Sequence, residues 1–178
     1  GYFEKNYIEK ISELIKQKKS KIIDYGIHTH CKNIPMGFPT IHDNLKDYKK
    51  EEMERIVKWY KNKLEKITKK KVFTHRAGSY AIPNLEIIDE VLGKNNLTID
   101  SSYLNRDYSV PIKLEKINEI PPATSKKYSQ KLRVFSPEQM SFKEMTKFYA
   151  TAKKHTDNLV INFHSFSVYG DMGIKKKL

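Results

Sequence analysis

The spacing of apolar and polar positions changes period repeatedly along the chain. Residues 2–19 put Ile8, Ile11, Leu14 and Ile15 on one face at helical spacing, and the β-branched run at 21–27 follows as a strand. After a loop containing Pro and Gly at 34–44, residues 45–68 return to the helical period with Met53, Ile56, Val57, Tyr60, Leu64 and Ile67 inward. Residues 71–74 then read as the next strand. Pro83 opens a helix carrying Leu85, Ile88, Val91 and Leu92, Gly93 closes it, and 97–99 form a short strand ending in Asp100. Residues 117–120 and 131–135 are weaker strands. Ser136 as N-cap and Pro137 at the first helical position start a helix over 138–154, and 159–163 reads as a buried strand. Helices taking turns with near-continuous apolar strands predict an α/β fold, a parallel sheet with helices outside, either open or closed into a barrel.

A length of 178 residues fits one domain, or most of a larger one. Hydrophobic content of 38%, with 11% aromatic, supports a core and excludes a disordered chain. No apolar run approaches the roughly 20 residues of a membrane helix; the most apolar stretch, 159–168, is broken by Asn162, His164 and Ser165. The single cysteine, Cys31, cannot form an internal disulfide, so both cytoplasm and cell envelope stay open as locations. A start at Gly1, with neither an initiating Met nor a charged-then-apolar leader, reads as a processed or excised product. The net charge of +13 and a pI near 9.6 suit an anionic partner. That excess lies mainly in lysines spread over helical stretches with interspersed glutamates, not in a basic patch interleaved with aromatics, which argues against nucleic acid.

Polar residues capable of chemistry gather where the strands end. Strand one runs into His28-Thr29-His30, strand two into His75-Arg76-Ala77-Gly78-Ser79-Tyr80, strand three into Asp100-Ser101-Ser102, and the last strand into His164-Ser165. In parallel α/β folds the carboxyl ends of the strands converge on one face, where such folds build their sites. His28 and His30, two apart in extended chain, leave the same face and can grip one divalent ion through imidazole nitrogen; the alternative is a pair of histidines bonded to backbone. Cys31 points to the opposite face if the strand continues. Arg76 is either a surface ion-pair partner or a fixed cation orienting a carboxylate, and Gly78 allows a close backbone approach. Asp100 either caps a turn or lies near Arg76, within ion-pair distance. His164 is either a satisfied core histidine or a proton donor near neutral pH. His42 and His155 read as surface residues.

Taken in order, Gly26-Ile27-His28-Thr29-His30, Thr74-His75-Arg76-Ala77-Gly78-Ser79-Tyr80, Thr98-Ile99-Asp100-Ser101-Ser102, Glu119-Ile120-Pro121 and Val160-Ile161-Asn162-Phe163-His164-Ser165 resemble the motifs of the polysaccharide deacetylases, the NodB-like carbohydrate esterases. The resemblance covers residues 24–168. It implies a distorted (β/α) barrel and metal-dependent hydrolysis of acetyl groups, chiefly N-acetyl, from a polysaccharide or glycan. It further implies that His28 and His30 hold a divalent metal, zinc being the expected ion. Arg76 and Asp100 would belong to the catalytic shell, His164 would be the general acid, and Gly78, Ser79 and Tyr80 would face substrate. The family's Asp-rich first motif should precede the helix at 2–19 and has no counterpart in the sequence. The chain is therefore expected to be a single deacetylase-like domain that lacks its N-terminal strand and is inactive by itself. The alternatives are a catalytically inactive glycan-binding homologue and a basic module binding an anionic polymer.

Overall fold

Three parallel strands carry the motifs, and the second and third begin three and two residues later than the apolar runs suggest. The computed structural model describes residues 25–104, 108–125 and 133–162. Strand β1 spans Gly26–Thr29, β2 Thr74–Ala77 and β3 Ile99–Asp100. β1 pairs in parallel with β2, setting Ile27 opposite His75 and His28 opposite Arg76, and β2 pairs in parallel with β3, setting His75 opposite Asp100. Short strands β4 (Ile112–Lys113) and β5 (Asn118–Glu119) extend the sheet in the order β1-β2-β3-β5-β4. The α/β class is therefore present as an open row of mostly parallel strands among the described residues. In β2, Val72 is buried as core before ladder pairing begins at Thr74, so the pairing falls on the polar motif itself.

Helix α1, Lys50–Thr68, covers most of the expected 45–68; Leu45–Asp47 form instead a separate single turn of 3-10 helix. Met53, Ile56, Val57 and Tyr60 are buried along one stripe, as the period demands, and Lys69 ends the helix in the left-handed region at φ 57°. Helix α2, Leu85–Lys94, starts from Asn84, whose side-chain oxygen accepts the Ile87 N–H at 2.8 Å. Pro83 thus precedes the cap rather than opening the helix. Gly93 is helical rather than terminal, and a Cβ there would stand 2.7 Å from the Lys116 side chain. Buried Asp89 accepts the N–H groups of Lys116 and Ile117 at 3.0 and 2.9 Å, which fixes the segment leading into β5. Ile27, Ile56, Val57, Ile88, Leu92 and Leu97 belong to the core between sheet and helices.

The chain divides into two compact units. The first holds the described residues up to Ser102 with Lys113–Asn118, and the second those of Tyr103–Ile112 with the described residues from Glu119 onward. In the second, β6 (Thr124–Ser125) pairs antiparallel with β7 (Arg133–Val134). Helix α3 spans Phe142–Ala152 and begins at Ser141, in a reciprocal capping box with Glu144. It does not begin at Ser136, because Gln139 and Met140 close a turn back onto the Ser136 carbonyl first. Phe135 and Phe148 stack at 4.9 Å in this unit's core. Residues 159–162 are not in a ladder; the Asn162 N–H bonds the Phe135 carbonyl at 3.1 Å. The expected helix at 2–19, most of the first strand run, Phe163 and His164 lie outside the described residues. Among the described residues no helix is long and apolar enough to cross a membrane.

Candidate functional site

Pleating assigns the two faces of β1 and β2 to different chemistry. Ile27, Thr29, His75 and Ala77 are buried, while His28 is exposed and Arg76 is partly so. Just past β1, His30 continues the outward set. His28 Nε2 and His30 Nε2 face each other at 3.2 Å, their rings edge to face with centroids 4.8 Å apart. The other nitrogen of each ring is engaged: His28 Nδ1 donates to the Arg76 carbonyl at 3.0 Å and His30 Nδ1 to Asp43 Oδ2 at 2.8 Å. Since a carbonyl and a carboxylate only accept, each Nδ1 carries a proton, and in the neutral form of the rings both Nε2 atoms present lone pairs.

Electrostatics favours the neutral form of His28. Although His28 is exposed as a residue, crowding desolvates its ring, and the Arg76 charge adds to this, holding its pKa below the ordinary histidine value against the opposing bond to the Arg76 carbonyl. Asp43 titrates below the usual carboxylate range, first because it accepts the His30 hydrogen bond. Two converging lone pairs repel unless a proton or a metal ion lies between them. Two imidazole nitrogens on one tetrahedral ion, with bonds near 2.1 Å, stand about 3.4 Å apart, so the observed spacing fits a shared metal. Among the described residues no group of three or more His, Cys, Asp or Glu is placed to hold a metal ion.

Cys31 is excluded from the pair by its packing. It is fully buried in the core, and burial, then the Asp43 charge, pushes its thiol up to about 12. Its N–H instead bonds the Asp43 carbonyl at 2.8 Å, which brings the 31–43 loop back so that Asp43 meets His30. The Tyr60 hydroxyl donates to the His30 carbonyl and ties the same point to α1.

The inward face holds a second network. His75 Nδ1 donates to Asp100 Oδ1 at 2.7 Å, and both side chains are wholly buried. Thr29 Oγ1 lies 3.1 Å from His75 Nε2, Ser102 Oγ donates to Asp100 Oδ1 at 2.7 Å, and the Ala77 N–H donates to Ser102 Oγ at 2.8 Å. Polar groups from β1, β2 and the end of β3 are thereby stitched together. Asp100 and Arg76 turn to different partners: the Arg76 guanidinium donates through Nε to the Ser101 carbonyl at 3.0 Å and through Nη2 to Ser101 Oγ at 2.9 Å. The ion pair expected between Arg76 and Asp100 is replaced by these two sets, because residues 75 and 76 point to opposite faces.

Gly78 lies between the two networks. A Cβ on it would stand 2.7 Å from the Thr29 carbonyl oxygen and 2.8 Å from the His30 ring, so only glycine lets β1 and β2 close up there. Ser79 and Tyr80 follow at φ 54° and 56°, a left-handed pair that neither residue adopts freely, which marks the turn as held by its surroundings. Arg76 lies 6.0 Å from the Tyr80 ring centroid. Of the residues expected at the site, His28, His30, Arg76, Gly78, Ser79 and Tyr80 are thus neighbours around one turn. Asp100 is sealed beneath them, and His164 falls outside the described residues. Asp43 and His75 are the additions. Nothing in their spacing advertises them, since Asp43 comes from a loop 13 residues beyond its partner and His75 shows its role only once β2 is paired with β3. No family model and no curated protein matches the chain.

Proposed function

We propose that the first unit is the metal-binding part of a polysaccharide deacetylase that removes acetyl groups, chiefly N-acetyl, from a glycan. The observation that carries this reading is the convergence of His28 Nε2 and His30 Nε2 at 3.2 Å with both Nδ1 atoms already spoken for. The resemblance of the ordered motifs supplies the substrate class and the barrel architecture, of which the open sheet would form a part. A divalent ion, zinc by ligand type, would polarise the acetyl carbonyl and bring the pKa of water toward neutrality.

The residues of this chain do the remaining work. His28 and His30 hold the ion, and Asp43 and the Arg76 carbonyl fix their tautomers and ring orientation. Gly78 keeps the approach to the pair free of a side chain, and the Ser79 and Tyr80 turn borders it. Arg76, anchored on Ser101, offers a fixed cation to the glycan. His164 is the residue this reading assigns to protonate the departing sugar nitrogen. Asp100 acts through His75 and Ser102, as a positioning residue.

One observation favours a second reading, glycan binding without hydrolysis: Asp100, the carboxylate named for the catalytic shell, is wholly buried and engaged by His75. Acetate release from N-acetylglucosamine oligomers by the zinc-loaded protein expressed from its full reading frame, so that an upstream Asp motif is present if it is encoded, separates the two. Release that disappears in His28→Ala supports the hydrolase. Oligomer binding with no release in either protein supports the binding module, and neither binding nor release overturns both.

A further inference from the structure

Helix α1 turns a second charged face toward the end of α2, one that the histidine pair does not use. Glu54, Lys58, Lys61 and Asn62 recur at helical spacing and share that face. With Lys94 and Asn96 from the end of α2, they and Arg55 line an open cavity of about 390 Å³. Lys58, Lys61 and Lys94 meet there against the carboxylate of Glu54, which Lys94 already takes at 2.6 Å, while the Arg55 guanidinium lies over the Phe38 ring, 4.8 Å from its centroid. Lys61 is the telling member. Its side chain is only 14% exposed, and its carboxylate neighbour Glu65 stands at 3.7 Å, beyond hydrogen-bond reach. The same Glu65 oxygen also accepts the Val72 N–H at 3.0 Å, so a partly desolvated ammonium is weakly compensated.

The competing charge at this place is the carbonyl end of α2. Those carbonyls are answered internally: the Asn95 and Leu97 N–H groups bond the Leu92 oxygen at 3.0 Å each, and the Asn96 N–H bonds the Gly93 oxygen at 2.9 Å. The cavity therefore keeps its positive character. Its volume falls in the range of ligand pockets, about 300–1,000 Å³. Exposed amides of Asn62 and Asn96 offer both donors and acceptors, which suit hydroxyl groups. No aromatic side chain lines it, so nothing there stacks a nucleobase.

We infer that this cavity binds an acidic saccharide unit, a sugar bearing a carboxylate or a phosphate, as a site separate from the histidine pair. Titration calorimetry on the full chain, in EDTA so that the result is independent of any metal, tests it with trigalacturonate, glucose 6-phosphate, neutral maltotriose and hexathymidylate. The expected result is binding of trigalacturonate or glucose 6-phosphate, whichever oxyanion fits, with none of maltotriose. Lys58→Glu, an exposed position where reversal leaves the fold intact, should weaken that binding at least tenfold, and Lys61→Met, which keeps the buried stem, should do the same. Binding should also fall with salt, with a slope set by the two or three cations engaged. Absence of binding by both anionic sugars, or binding unchanged in both variants with unaltered melting, overturns the inference. Hexathymidylate bound more tightly than the sugars, and lost in Lys58→Glu, overturns it in favour of a nucleic-acid groove.

Discussion

Two histidine networks occupy opposite faces of the same pair of strands, and the pleat alone decides what each can do. His75 lies on the inward face opposite Ile27, with Asp100 and Thr29 on its two nitrogens and no solvent exposure. His28 lies one residue further along the paired register, opposite Arg76, and together with His30 aims its second nitrogen at a neighbouring nitrogen instead of at a donor. A histidine with both nitrogens answered by the fold contributes to stability. A pair whose Nδ1 atoms are pinned while the Nε2 atoms converge is poised for an ion. The difference lies in what the second nitrogen meets.

The largest expected effect belongs to the buried network. His75→Ala removes the donor to a carboxylate that has no solvent exposure, and breaking such a pair costs about 3–5 kcal/mol. Urea unfolding measures it; a loss under about 1 kcal/mol would show that the Asp100 site takes up water and that the two faces differ less than their burial implies. On the open face the same kind of substitution should act on binding instead. His28→Ala should lower zinc affinity at least ~100-fold, about 2.7 kcal/mol, while unfolding stability moves by no more than about 0.5 kcal/mol. Stability and affinity falling together would erase the comparison.

Gly78→Ala probes the point where the faces meet. Its Cβ would press on the Thr29 carbonyl on one side and the His30 ring on the other, at 2.7 and 2.8 Å. Backbone cannot yield cheaply there, so the variant should lose about 1–3 kcal/mol of stability. Zinc titration on the folded variant then tells which side gave way: weakened affinity means that the His30 ring moved, and unchanged affinity means that the strand did.

Much of this was legible from spacing alone, and the misses have physical reasons. The His-x-His period put His28 and His30 on one face because strand alternation is strict. The same alternation separates His75 from Arg76, so with Asp100 bonded to His75 the expected ion pair between Arg76 and Asp100 does not form. Ser101 and Ser102 after Asp100 suggest a turn cap, and the motif resemblance a catalytic shell, whereas the parallel register brings His75 to Asp100 from 25 residues away. Helix boundaries slipped for a local reason. Asn84 caps α2 where Pro83 cannot, since a side-chain oxygen answers an orphan N–H and a proline ring does not; Ser136 does accept the Glu138 N–H at 3.1 Å, but its turn closes at Met140 and α3 starts afresh from Ser141. Of the strand expected at 159–163, residues 159–162 lie outside any ladder, although the Asn162 N–H reaches the Phe135 carbonyl at 3.1 Å.

The smallest effect, and the finest cut through the comparison, is at Asp43. Its carboxylate is 46% exposed, so it could be dismissed as a surface charge; its bond to His30 Nδ1 at 2.8 Å says that it sets the ring. Asp43→Asn preserves shape and an accepting oxygen but removes the charge that favours an Nδ1 proton and makes the far nitrogen a better donor to metal. Zinc affinity should then fall about tenfold, near 1.4 kcal/mol, with melting unchanged. An unaltered affinity would mean that water can hold the His30 tautomer as well as Asp43 does. The open pair would then owe its geometry to the Arg76 carbonyl and the tight turn at Gly78 alone, and pre-orientation would come from backbone rather than from a carboxylate delivered by the loop.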